Sequence, residues 1–151
     1  MYTKILVALD GSDSSKRALH RAVVLAEKFW SKLTLLTIFH RRVLPPLVEE
    51  GGEMAVDDEI YESYWDSVRE LHVRILEEAE RLIRKSYPNV RVEAVLAEGR
   101  PSVEICRESR EREVGLVVVG NSGMGGIKGW LLGSTSRRVV DSCSTTVMVV
   151  K

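Results

Sequence analysis

Short continuous apolar runs alternate along this chain with longer stretches in which apolar residues recur every three or four positions. Ile5-Leu6-Val7-Ala8-Leu9 is the first run, the pattern of a strand covered on both faces of a parallel sheet. Asp10-Gly11-Ser12 breaks it, and Ser12 or Asp13 is placed to cap a helix whose Leu19, Ala22, Ala26 and Phe29 share one face. Residues 33–39 form a second buried run. Residues 40–58 hold Pro45-Pro46 and Gly51-Gly52 without a clear period and read as a long loop. From 59 to about 87, Ile60, Tyr64, Val68, Leu71, Ile75, Ala79 and Leu82 fall at helical spacing with Glu and Arg opposite. They predict an amphipathic helix lying on a sheet. Pro88-Asn89 ends it, and 90–96 alternate as a third strand. Gly99-Arg100-Pro101 turns into a further helix, since proline suits a first turn where its missing N–H costs nothing. Residues 114–119 are a fourth strand, a helix follows Gly133 to about Asp141, and 145–150 are a fifth strand. Strands alternating with helices predict the α/β class, an open, parallel, doubly wound and Rossmann-like sheet with right-handed crossovers and helices on both faces.

A length of 151 residues fits one domain, 1–151, with a single sizeable core. Lysine plus arginine and aspartate plus glutamate are equal at 22 each, so charge makes no case for nucleic acid or an anionic membrane as the main partner. No window has the long apolar run of a membrane span, and the opening residues read as a strand rather than a signal peptide. Cys106 and Cys143 have no zinc or dithiol spacing and read as reduced structural thiols of a cytoplasmic protein. His20, His40 and His72 lack partner spacing for metal or catalysis. Trp30, Trp65 and Trp130 read as packing or interface residues, and the charged run 107–113 as a solvated helix face.

Candidate chemistry concentrates in one stretch. Gly120-Asn121-Ser122-Gly123 follows the fourth strand directly, and Gly133-Ser134-Thr135-Ser136 opens the last helix. Glycines admit a close ligand, and free N–H groups at a helix start accept anions, so the spacing G-x2-G-x9-G-S points to a phosphate loop. In open α/β sheets ligands lie beyond the carboxyl ends of strands where the strand order reverses. If the first and fourth strands are neighbours there, Asp10 and the glycine loop face one crevice. Asp10 would then meet sugar hydroxyls or a metal; its alternative role is a helix cap or Asx turn. The chain has no G-x-x-x-x-G-K-[ST] loop, no G-x-G-x-x-G after the first strand and no G-x-S-x-G elbow.

These blocks resemble the universal stress protein family, in its ATP-binding, single-domain branch, over nearly the whole chain. The likeness rests on Ile5-Leu6-Val7-Ala8-Leu9-Asp10-Gly11-Ser12, Ser15-Lys16-Arg17-Ala18-Leu19, Leu35-Leu36-Thr37-Ile38 and above all Gly120-x2-Gly123-x9-Gly133-Ser134. It implies a five-stranded sheet of order 3-2-1-4-5. Ala8, Leu9 and Asp10 would line the adenosine end, Ile38 would pack on adenine, and Val119, Gly120 and Asn121 would lie by the ribose and the loop that follows. Gly123, Gly133, Ser134, Thr135 and Ser136 would hold phosphates, with Lys128 and Arg137 near enough for countercharge. The implied ligand is ATP, or AMP or another adenine nucleotide, with Mg2+. Thr37 stands where the family often has histidine, Asn121 where it often has serine, and Thr145-Thr146 where it often has Cys-Pro. An apolar last strand is an exposed edge to be covered, and the resemblance implies a homodimer through it, read by an unidentified protein partner. A nucleotide-dependent regulatory switch, a slow ATPase lacking an obvious base beyond Asp10, and a nucleotide-free interaction module are the three functions this sequence allows.

Overall fold

A computed structural model describes residues 2–41, 47–49, 52–54, 58–123 and 132–151. In chain order the elements are β1 (Lys4–Leu9), α1 (Asp13–Phe29), β2 (Lys32–Phe39), β3 (Leu47–Glu49), β4 (Gly52–Met54), α2 (Asp58–Ser86), β5 (Arg91–Glu98), α3 (Pro101–Glu111), β6 (Leu116–Gly120), α4 (Ser134–Ser142) and β7 (Thr146–Val150). Five of these strands form one sheet in the order β5-β2-β1-β6-β7, every neighbouring pair parallel. Numbered by their order within that sheet's sequence, this is the expected 3-2-1-4-5.

Covering both faces explains the continuous apolar runs. Ile5, Val7 and Leu9 of β1, Leu33 and Leu35 of β2 and Leu116 and Val118 of β6 pack beneath α1 and α2. Leu6, Leu36, Val117 and Val119 face the other way, onto the layer containing Ile105 of α3 and Val139 of α4. Each such side chain stabilises the fold by about 1.5–3 kcal/mol when fully buried. Because β1 lies between β2 and β6, chain connections leave it in opposite directions, which places the topological switch at its carboxyl end.

Five expectations are corrected. The 40–58 stretch is not wholly loop: β3 and β4 pair antiparallel, Leu47 opposite Met54 and Glu49 opposite Gly52. On α2 the buried residues are Trp65, Leu76, Ala79 and Ile83, whereas Ile60, Tyr64, Leu71 and Leu82 are exposed. The buried stripe is thus rotated about one residue from the one the apolar spacing predicts, with Leu76, Ala79 and Ile83 joining the core beneath. His72 sits on the inner side, with its Nδ1 2.8 Å from the Val68 carbonyl and its ring against Phe39. Phe29, expected on the buried face of α1, is 37% exposed and packs edge-on against Tyr2. It lies in the last turn, beyond the sheet-covered part of that helix.

The fourth and fifth corrections concern α3. Its charged run is not simply solvated: Glu108 is buried, accepting from Arg107 at 2.8 Å and from Arg112 at 2.6 Å. Arg112 also pairs with Glu93 of β5, which pairs in turn with Lys32 of β2. A hydrogen bond from Arg107 to Glu104, reinforced by Glu111, holds that guanidinium above its ordinary pKa. Nor are the cysteines free thiols: Cys106 of α3 and Cys143, the C-cap of α4, form a disulfide with Cα atoms 5.1 Å apart. Sequence separation hid their meeting, since two helices on the same sheet face bring them together.

Two substitutions test the revised α2 face and the core beneath it. Leu35→Ala, at a wholly buried position, should lower the free energy of unfolding in urea by about 2–5 kcal/mol. Leu71→Ala, 58% exposed, should change it by less than about 0.5 kcal/mol.

Candidate functional site

The carboxyl ends of β1 and β6 lie side by side, and the turns that follow them build a cleft. Leu9 gives way to Asp10-Gly11-Ser12, with Gly11 at φ +83°, a left-handed conformation that favours glycine. Asp10 Oδ1 accepts from Ser12 N–H at 2.9 Å, forming the Asx turn. Ser12 is the N-cap of α1, its hydroxyl accepting from Ser15 N–H at 3.1 Å. Asp10 therefore has a structural role, yet its second oxygen faces Gly123 across the cleft: a Cβ on Gly123 would lie 2.9 Å from Oδ2.

Opposite, β6 ends against the first turn of α1. A Cβ on Gly120 would stand 2.2 Å from Ser14 Oγ and 2.7 Å from the Ser14 carbonyl carbon. Backbone cannot yield as a side-chain tip can, so helix packing by itself requires this glycine. Ser14 Oγ donates to Asn121 Oδ1 at 2.9 Å and accepts from Ser122 N–H at 3.3 Å. Asn121 N–H donates to the Val150 carbonyl at 2.8 Å. The Asn121 carbonyl then receives Gly133 N–H at 2.7 Å and Ser136 Oγ at 3.0 Å. Asn121 thus ties together α1, β7 and the start of α4.

The cleft enclosed by described residues has a volume of about 140 Å3, below the ~300–1,000 Å3 common for small-molecule cavities. Gly123 and Gly133 form one side of it; residues 124–131, including Lys128 and Trp130, lie outside the described residues. Its remaining lining is of two kinds. Ala8, Ile38, Ile105 and Val119, members of one apolar cluster, line it together with Leu9 and Pro101. Asp10, Ser15, Ser122, Ser134, Thr135 and Ser136 supply the polar lining. Among the described lining side chains, Asp10 alone carries a charge. Gly133, the N-cap of α4, has no side chain to cap the first turn, so among the described residues no side chain caps the amides of Ser134, Thr135 and Ser136, the groups that would meet an anion.

Most residues singled out in the sequence therefore line one cleft: Ala8, Leu9, Asp10, Ile38, Val119, Gly120, Gly123, Gly133, Ser134, Thr135 and Ser136. Asn121 does not line it and acts as the brace behind it. Ser15, Pro101 and Ile105 were missed. The last two arrive because α3, leaving the edge strand β5, crosses back over the sheet to reach β6. Proline at the first position of a helix after a strand was the signal available in the sequence. A second space, of about 540 Å3, lies between α1 and α2 and includes Leu19, Val23, Ile75 and Ile83.

Comparison with known proteins decides the family. The sequence profile of the universal stress protein family matches residues 1–151. The chain belongs to the universal stress protein family. A curated family member, universal stress protein YxiE of Bacillus subtilis, is 32% identical over 151 residues, covering 100% of both chains. Among solved structures, universal stress protein UspA from Lactobacillus plantarum superposes with a TM-score of 0.77 at 23% identity, covering 99% of this chain and 98% of that one. A universal stress protein in complex with cAMP superposes with a TM-score of 0.68 at 29% identity, covering 99% and 97%. The strand order described above is thus that of the universal stress protein fold. Among the described residues no helix is long and apolar enough to cross a membrane, and no group of three or more His, Cys, Asp or Glu is placed to hold a metal ion.

Gly120→Ala tests the packing requirement. Forcing a methyl group against the α1 backbone should destabilise the protein by about 1–3 kcal/mol in chemical denaturation. Gly115→Ala, where the nearest atom would be 3.4 Å away, should stay within about 0.5 kcal/mol of the parent.

Proposed function

We propose that this universal stress protein binds an adenine nucleotide in the cleft, ATP with Mg2+ being the form its polar side suits best, and acts as a nucleotide-dependent regulatory switch in the cytoplasm. The observation that carries this reading is the meeting of two kinds of lining in one cleft: apolar Ile38, Ile105 and Val119, which belong to one apolar cluster, and the first turn of α4, which has no side-chain cap. An aromatic base gains from the first through burial. Phosphates gain from the second through backbone N–H groups and the positive end of the helix dipole. The cAMP complex of the related protein supports an adenine nucleotide as the ligand class.

Asp10 is the residue for ribose hydroxyls or for Mg2+. Because its Oδ1 is already engaged by Ser12 N–H, it is poorly free to orient an attacking water, and any hydrolysis of ATP is slow. Binding rather than turnover is the output. A homodimer formed through β7 would carry the signal: β7 is a sheet edge, and its Val147, Met148 and Val149 are only partly covered.

At ATP concentrations near a hundred times Kd, the thermal midpoint should rise by roughly 5–10 °C, with little phosphate released over hours. Gly123→Val should remove that rise while leaving the unliganded midpoint within about 3 °C of the parent. Unchanged ATP affinity in the variant would displace the site. Light scattering at micromolar protein should give the dimer mass, and a monomer mass would remove β7 as the signalling interface.

A further inference from the structure

Among the described elements, α4 rests on α3 and β7. Of its nine residues only Ser136 and Val139 are buried. Its first turn hangs from Asn121 by the Gly133 amide at 2.7 Å and the Ser136 hydroxyl at 3.0 Å. Its last turn is held by the bond from Cys143 to Cys106. Cys106 adjoins Ile105, which lines the cleft, as do Ser134, Thr135 and Ser136. The disulfide therefore joins two helices that both line the same cleft.

We infer that the Cys106–Cys143 pair is a redox switch on the adenine-nucleotide site, closing it to a high-affinity form when oxidised and loosening α4 when reduced; this rests on the nucleotide reading of the cleft. Cys143 is partly exposed and Cys106 is buried, 7% exposed. A dithiol reductant reaches the Cys143 sulfur. Its thiolate forms a mixed disulfide there while Cys106 leaves as the thiolate. The reductant's second thiolate then displaces Cys143 and closes its own disulfide. Two protons and two electrons pass to the protein, leaving two thiols. Reoxidation runs by exchange with a low-molecular-weight disulfide, which departs as two thiols. With the bond open, the last turn of α4 loses its covalent hold, and a nucleotide must order the helix that binds its phosphates. That ordering cost appears as weaker binding.

Reciprocity supplies a second readout. If oxidation tightens ATP binding by some factor, ATP must favour the oxidised pair by the same factor.

The test uses the full chain, with Mg-ATP as the probe. Isothermal titration of oxidised protein, its bond verified by mass, is compared with titration in excess dithiothreitol, and hydrogen exchange of residues 134–142 is followed in both states. Reduction is expected to raise Kd about fivefold or more and to speed exchange in α4. ATP should shift the pair's equilibrium in a glutathione redox buffer by a matching factor. Cys143→Ser should bind like the reduced parent and ignore the reductant. Equal Kd in the two redox states, even with faster α4 exchange, overturns the switch, as does a protein whose two thiols stay free in a low-molecular-weight disulfide. Failure of ATP to bind either state, with α4 exchange still redox-dependent, overturns the nucleotide reading instead and takes the switch with it.

Discussion

The closeness of the first turn of α1 to the end of β6 is the constraint on which the functional edge of this protein depends. Ser14 occupies the space a side chain at residue 120 would need. That proximity lets one hydroxyl reach both the Asn121 side chain and the Ser122 amide. Asn121, fixed in this way, presents its carbonyl to Gly133 and Ser136 and so sets where α4 begins. The direction of the α4 amides is therefore inherited, through two hydrogen-bonded steps, from how β1 turns into α1. A chain that failed to close this gap would keep its sheet and lose its cleft.

The sheet itself was legible because burial on two faces leaves no freedom in composition. Ile5 to Leu9 and Leu116 to Val119 must be apolar throughout, and runs of that kind have few other readings. Helix faces were harder. On α2 a tyrosine and a tryptophan stand side by side, and periodicity alone cannot say which turns inward; Trp65 is the buried one and Tyr64 is exposed. The β3–β4 pair escaped notice since three-residue strands leave too short a pattern to detect. Glu108 looked like one acid among many, and only the approach of Arg107 and Arg112 makes its burial tolerable.

Much of the cleft could be read from glycine spacing and from the residues ending two strands. Roles within it were less transparent. Gly120 looked like a ligand-facing glycine; it lines the cleft, and helix packing gives it a second reason to lack a side chain. Asn121 likewise looked like a contact and proves to be a brace. Ile105 and the disulfide were invisible for a shared reason: both depend on where α3 crosses the sheet relative to α4, a distance no local pattern encodes. Local spacing reports which groups a loop offers, while the rest of a site's lining is set by topology.

The central claim is that one ligand spans the apolar lining from β2, β6 and α3 and the amides at the start of α4. Amide chemical-shift mapping by NMR with Mg-ATP tests it most directly. The account predicts that the largest changes fall together on Ile38, Ile105, Gly123 and Gly133 to Ser136. Changes confined to the space between α1 and α2, around Leu19, Ile75 and Ile83, would contradict it.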